Sequence, residues 1–412
     1  VDGSSLSPIE LSGVVDGFVI EARVELTGLA IVGFPNAGVR IAANANDARL
    51  ANLFVGVSAD GATARPNLGG GVVIAGGTGH RLADTLISGN LGDGVAILGG
   101  SAAVVEASRI GTSLNGQAGL PNTGHGVSIR GGLDHRVVDS LLSGNDLSGI
   151  LIQGSSTSGA RVEASRIGTN LDGVSALGNG LDGVAILDSP NNLIVNNLIS
   201  GNGRLDEGAG VVIRGATALG NQIALNTIGL DGSAQQALGN SAHGVFVGNG
   251  ASGGLIQSNL IAGNGGRVAG AGIYLSSRDA QGNASANVPT QGNVIADNRL
   301  GVDGSGVRGI GVSQVGVVID DLPNNQVRSN VISGHAITGI LIAGARATGN
   351  QIVGNTIGLD AARQTAVPNG SLVDGRLVGE GISINQSVGN VIGGLGGDAN
   401  VIGGNLRYGI AL

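Results

Sequence analysis

One tetrapeptide, glycine followed by an aliphatic residue, any residue and a second aliphatic, recurs along the whole chain from Gly17-Phe18-Val19-Ile20 to Gly409-Ile410-Ala411-Leu412. Successive copies begin 21, 33, 23, 32, 23, 34, 27, 34, 28, 44, 23, 42 and 28 residues apart. Short and long intervals alternate without a break, so the repeating unit is a pair of coils. A unit of this size cannot bury its own apolar face and must stack on its neighbours.

Between the tetrapeptides lies a second signature. Short coils carry a tight turn such as Leu198-Ile199-Ser200-Gly201-Asn202, and long coils carry Ile-Gly and a polar loop, as in Ile228-Gly229-Leu230-Asp231. Each coil then reads as three strands: the tetrapeptide, a short aliphatic pair such as Gln222-Ile223, and an Asn-x-Ile segment. Strands of three to five residues with no helical period between them exclude βαβ units. Three per coil wind into a prism of parallel sheets, and the chirality of parallel crossovers makes the winding right-handed. The first and third residues after each glycine face inward. A second inward column runs Thr85, Ser108, Ser140, Ser165, Asn197, Asn226, Asn259, Asn298, Asn330, Asn355. Stacked about 4.8 Å apart, these side chains can hydrogen-bond from coil to coil. The expected fold is all-β: a single-stranded right-handed parallel β-helix of about fourteen coils, with residues 1–16 as an N-terminal capping segment and 17–412 as the solenoid.

Composition agrees. Eighty glycines beside 42% hydrophobic residues describe tight turns between short buried strands. With six aromatic residues in all, the core is aliphatic. There is no cysteine, which excludes disulfides and thiolate chemistry. A net charge of −8, with arginine as the sole fixed cation, argues against a nucleic-acid partner. No apolar run is long enough to span a membrane as a helix. The chain opens at Val1 without a basic-then-apolar leader, as expected of a processed product, and the acidic, lysine-free composition fits an exported protein.

The recurring Asn197-Leu198-Ile199-Ser200-Gly201-Asn202 and Ile228-Gly229-Leu230-Asp231 patterns resemble the parallel β-helix repeats of the pectate-lyase-like superfamily, and most of all the repeat-only stretches of large bacterial secreted proteins. The resemblance runs from about Gly13 to Leu412. It implies the fold and bacterial-type secretion to the exterior or cell surface. It does not imply one activity, since the superfamily includes lyases, hydrolases, epimerases, phage spikes and adhesins.

Three groups of residues are candidates for function. Asp84, Glu106, Asp139 and Glu163 occupy neighbouring places in successive coils beside Arg109 and Arg166. Enzymes of the superfamily use acids for Ca²⁺ and an arginine base, so these residues form the catalytic alternative. The Glu106/Arg109 and Glu163/Arg166 pairs are copied two coils apart, which points instead to a ladder of exposed ion pairs. Asp172, Asp231 and Asp303, with Asp60, each precede a glycine in a long-coil loop. Each Asp-Gly is first a turn; Ca²⁺ there is the alternative to a chain without cofactors, and one carboxylate per loop is thin provision for a hard cation. Gly393–Asp398 matches the start of a calcium-binding nonapeptide once only. Histidines 80, 125, 135, 243 and 335 read as turn decoration. Gly248, Gly250 and Gly253 match a dinucleotide fingerprint but lead into a strand, which removes its mechanism.

The third group is the outward row of the tetrapeptide, apolar at eleven of fourteen places and without an acid. Its Leu151, Val212, Phe246, Tyr274, Val318 and Leu341 predict an exposed apolar stripe that another copy would cover. The last strand, ending at Leu412, predicts end-to-end docking or a longer chain. The expected function is an extracellular structural or adhesive solenoid acting by self-association or by binding a polysaccharide or cell surface, without catalysis. The alternatives are a lyase, hydrolase or epimerase of acidic polysaccharide, sited at Asp84–Arg166 or in the long excursion 276–293, and a non-catalytic carbohydrate-binding protein.

Overall fold

A computed structural model of the chain describes residues 9–13, 15–205, 208–266, 270–277, 289–311, 313–373 and 375–412. Its strands form three parallel sheets of 14, 14 and 13 strands, the right-handed parallel β-helix expected from the repeat. Sheet 1 holds the tetrapeptide strands, from Phe18–Ile20 to Tyr408–Ala411. Sheet 2 holds the short aliphatic strands and sheet 3 the Asn-x-Ile strands. Among the described residues the one helical element is a 3-10 turn at Gly396–Asp398. The chain divides into residues 1–185 and 186–412, and both units are built on the same rules. Within the segment expected to cap the solenoid, Ile9–Leu11 pairs in parallel with Leu29–Ile31 in sheet 3; residues 1–8 and 14 lie outside the described residues.

The glycine that opens each tetrapeptide is fixed by close approach. A Cβ at Gly94 would stand 2.7 Å from the Gly126 carbonyl oxygen, 2.7 Å from Ile110 Cγ2 and 2.9 Å from Asn122 Nδ2. The two aliphatic places that follow are buried through the body of the stack, as at Val95 and Ile97 in the first unit and Val211 and Ile213 in the second, while Phe18 is half-buried and Ile410 exposed.

The inward column is buried at every expected position and bonds as a ladder. The Asn226 side-chain amide donates to Asn259 Oδ1 at 3.0 Å and to the Ile194 and Ala224 carbonyls at 2.9 and 3.0 Å. Its backbone N–H donates to the same Oδ1 at 2.9 Å. Each asparagine therefore satisfies its own turn and the next coil's together. A further ladder, unnoticed in the sequence, runs Asn67, Asn90, Asn122, Asn145, Asn179 in the first unit and Asn202, Asn240, Asn264 in the second. The residue just before the first ladder takes a left-handed conformation, even where it is Ala107 (φ 47) or Leu225 (φ 59). The strain is held by backbone bonds to the next coil, such as Leu225 N–H to the Gln257 carbonyl at 3.2 Å.

The alternation of coil length also has a structural cause. Each long-coil loop closes on itself by an antiparallel bridge, as at Thr112–Gly119, Thr169–Ala176 and Val302–Gly309. Loops of successive long coils then bond directly across the short coil between them. Leu171 N–H donates to the Gly116 carbonyl at 2.9 Å, and Gly304 N–H to the Ala234 carbonyl at 2.8 Å.

His335 takes the asparagine place in the second ladder, and its backbone N–H donates to Asn369 Oδ1 at 3.1 Å. Neither ring nitrogen has a partner at hydrogen-bonding geometry. Burial pushes the imidazole down to about 4, although the nearby Leu300 and Ser313 carbonyls oppose the shift.

Two predictions follow from the ladders. Asn259→Leu leaves buried backbone groups without partners and lowers stability by about 1–3 kcal/mol in denaturant titration; unchanged stability would show that the ladder contributes nothing. The folded state holds His335 neutral while the unfolded chain protonates it below its ordinary value. Its stability is therefore complete at neutral pH and is lost as pH falls from about 6.5 towards 4, by on the order of 3 kcal/mol. Urea titrations across that range should show a flatter acid limb in His335→Asn, and parallel limbs would contradict the assignment.

Candidate functional site

Sheets 2 and 3 meet at the left-handed corner, and in the first unit this corner carries the charged residues singled out in the sequence. Asp84 (φ 51) and Asp139 (φ 46) are the corner residues of two short coils, and Ala107 is that of the long coil between them. Two residues on, the first places of the sheet 3 strands stack in register as Leu86, Arg109, Leu141 and Arg166. The small Ala107 leaves a gap between the two aspartates. Leu171, carried in by its bond to the Gly116 loop, supplies a wall. The result is a cleft of about 490 Å³ lined by Asp84, Asp139, Arg109, Arg166, Leu141 and Leu171, among others.

Glu106 and Glu163 do not join it. Each ends a sheet 2 strand, whereas Arg109 and Arg166 each begin a sheet 3 strand. The corner between them turns the Glu-x-x-Arg spacing into two different faces, so the expected Glu106/Arg109 and Glu163/Arg166 ion pairs do not form. Glu106 pairs instead with Arg81, and Glu163 with Arg136 and Arg161. Burial alone would raise the Glu163 carboxyl, but the two arginines outweigh it and hold it below the usual carboxylate range.

The arginines of the cleft are thereby left without carboxylates. The Arg109 Nε is shielded from solvent and has no hydrogen-bond partner. Among the described residues, neither the guanidinium groups of Arg109 and Arg166 nor the carboxylates of Asp84 and Asp139 make a side-chain hydrogen bond or ion pair. Two planar forks of donors and two acceptor-only carboxylates thus line one small volume. Guanidinium forks suit carboxylates, and carboxylates suit hydroxyl donors.

The long-loop aspartates are occupied by their own turns. Asp231 accepts from the Ser233 hydroxyl and from the backbone N–H groups of Gln235 and Gln236 at 3.0 and 3.1 Å. Asp303 accepts from Ser305 and Gly306 and pairs with Arg308. Burial would raise both carboxyls, but these bonds hold them below their ordinary value. Asp172 accepts from Gln117 of the neighbouring long loop at 2.9 Å. Among the described residues no three His, Asp or Glu side chains gather as a metal site. Four of the histidines bridge coils: buried His80 and His135 accept from the Ala48 and Ala103 N–H groups, and half-buried His125 and His243 from the Ser148 and Ala271 N–H groups.

The outward row is not the open stripe expected. Leu151, Val212, Phe246 and Val318 are each 5% exposed or less, while Tyr274 and Leu341 are half-buried. Flanking residues shelter them. His243 stacks on Tyr274 with centroids 4.8 Å apart, Phe246 lies parallel to Tyr274 at 5.9 Å, and the Arg214 guanidinium sits 4.9 Å from the Phe246 centroid. Burial, with Arg214, pushes the His243 imidazole down to about 4. This sheet also holds an acid missed in the sequence: Asp320 accepts from the Tyr274 hydroxyl at 3.2 Å and from Ser276 at 3.1 Å. Asp320 and Ser276 stand one place beyond the tetrapeptide in aligned strands, and extending the row by that place would have found it. Of the excursion 276–293, residues 278–288 lie outside the described residues.

No curated protein matches the chain in sequence. Among solved structures, the A-module of the mannuronan C-5 epimerase AlgE6 from Azotobacter vinelandii is 17% identical with a TM-score of 0.50, the match covering 95% of this chain and 90% of that one. The corresponding AlgE4 module is 16% identical at 0.41, covering 94% and 91%. A double-mutant tailspike protein of the E. coli bacteriophage HK620 is 13% identical at 0.45, and the match spans 93% of this chain but 60% of the tailspike. These are likenesses of fold. No helix among the described residues is long and apolar enough to cross a membrane. The right handed beta helix region matches residues 37–228 and again 172–357, and the chain belongs to that family.

Proposed function

We propose that this chain is an extracellular glycan-binding solenoid that holds an acidic polysaccharide in the Asp84–Arg166 cleft without chemical turnover. The observation that carries the proposal is one cleft lined by two arginines and two aspartates whose charged groups pair with no other side chain among the described residues. A guanidinium fork without a carboxylate partner in the protein suits a carboxylate of the ligand. Arg166 supplies a second fork, and Asp84 and Asp139 accept from sugar hydroxyls. The cleft lining contains no histidine, tyrosine or lysine, so proton transfer in lyase or epimerase chemistry would fall to Arg109 or Arg166. Displayed on a cell surface, such a cleft would make the solenoid adhesive. Lateral self-association loses much of its support, because Leu151, Val212, Phe246 and Val318 are buried and Tyr274 and Leu341 are half-buried.

Binding is measured by calorimetry with polyuronates at low salt, using neutral glucans as control. The wild type should bind the acidic polymers with an affinity that falls as salt rises. The double variant Arg109→Ala, Arg166→Ala should bind about tenfold or more weakly with its strand circular dichroism unchanged. Equal binding by the double variant would refute the site. Unsaturated or epimerised product that depends on Arg109 would replace the binding role with catalysis.

A further inference from the structure

The coils that bring Asp84 and Asp139 to the cleft also carry His80 and His135. Each histidine directly precedes a sheet 2 strand, Arg81–Ala83 or Arg136–Val138, and the aspartate directly follows it. The coils of Arg109 and Arg166 have alanine in the histidine place, at Ala103 and Ala160. Both histidines are buried. His80 Nδ1 accepts from the Ala48 N–H of the preceding coil at 3.3 Å, and its Nε2 stands 2.9 Å from the Gly76 carbonyl oxygen. His135 repeats the arrangement with the Ala103 N–H and the Gly131 carbonyl, each at 3.2 Å. These partners fit one neutral tautomer, bare at Nδ1 and protonated at Nε2. A second proton would set a ring N–H against the N–H of the neighbouring coil. In the second unit the same place holds Asn192, Asn221, Asn293, Asn325 and Asn350. There an amide oxygen takes the N–H, as Asn221 Oδ1 does from Asn192 at 2.9 Å. The first unit thus uses a titrating acceptor where the second uses one that does not titrate.

Burial holds the His135 imidazole below its ordinary value, with His80 adding to the shift and the Gly131 carbonyl and Asp134 opposing it. Asp47 lies against Gly79, the residue before His80. Arg81, Arg136 and Arg161 are exposed and pair with Glu106 and Glu163, and Arg49 is exposed.

We propose that His80 and His135 make binding at the cleft releasable by acid. When the rings take a second proton, the links to Ala48 and Ala103 break. The sheet 2 strands shift, and Asp84 and Asp139 lose their places beside Arg109 and Arg166. This control rests on the cleft's role as a glycan site. The histidines are positioning residues, since neither lines the cleft. The links are complete above the ordinary imidazole value of about 6.5 and are lost as pH falls below it. Ordinary carboxylates and guanidiniums keep their charge between about pH 7.5 and 5.5, so a change in that range points to histidine.

The full chain is compared at about pH 7.5 and 5.5 by amide hydrogen exchange, corrected for intrinsic rates, and by calorimetry with polygalacturonate. On acidification, protection of the Ala48 and Ala103 amides should fall by about tenfold relative to the Asn192 amide, and the association constant by about tenfold with it. The double variant His80→Asn, His135→Asn supplies the second unit's acceptor. It should bind like the wild type at the higher pH and keep that affinity at the lower, with circular dichroism confirming its fold. Equal protection at both pH values in the wild type would overturn the histidine links whatever the variant does. Protection that falls while affinity holds, or affinity that falls equally in the variant, would overturn the coupling to the cleft. A wild type that binds no polygalacturonate at either pH, with protection still falling, would overturn the glycan reading and the release together and leave only the acid-labile links.

Discussion

Every coil of this protein must end where the next can hydrogen-bond to it, and the buried side-chain amides at the corners enforce that. An inward asparagine carries two donors and an acceptor into an aliphatic interior, where each must find a partner. Asn226 meets the requirement by joining Asn259 in the next coil and two backbone carbonyls in its own coil and the one before. The partner must stand at the same height in every coil, so the cross-section of the solenoid is fixed at the corners. Between corners it is fixed by the aliphatic pairs and by glycines such as Gly94, where the neighbouring carbonyl leaves no room for a Cβ. Parallel sheets of very short strands, weak on their own, gain their register from these internal columns.

What the ladders do not constrain is free to vary, and that freedom produces the site. Outward places and loop lengths can change without disturbing the stack. The long-coil loops bond over the short coils, which leaves recesses at the corner wherever the corner residue is small. In the first unit that recess meets Asp84, Arg109, Asp139 and Arg166. A repeat that serves only stability thus sets the two-coil spacing of the cleft's like charges.

The repeat was legible because glycine and aliphatic residues recur at fixed places whatever the coil length. The first ladder was legible for the same reason: its residues directly precede the sheet 3 strand. The second ladder was hidden by the loops. In short coils its asparagine closes the Ser-Gly-Asn turn, but in long coils Asn122, Asn179 and Asn240 follow an inserted loop, and the register is lost to the eye. Spacing misled at Glu106 and Arg109, because three residues that span a corner lie on two sheets; the true partner, Arg81, is one coil away and 25 residues distant. The outward row looked exposed because alternation along a strand describes its own two faces and says nothing of neighbouring side chains. His243 and Arg214 cover that face at Phe246 and Tyr274. The unpaired state of Arg109 could not have been read from sequence, since it depends on where Glu106 turns.

A crystal structure of the protein with an acidic oligosaccharide tests the central claim most directly. The expected result is a ligand carboxylate on the guanidinium of Arg109 or Arg166, with sugar hydroxyls donating to Asp84 or Asp139. An oligosaccharide seated on sheet 1 beside Tyr274 and Asp320, with the Asp84–Arg166 cleft holding only water, would contradict the claim.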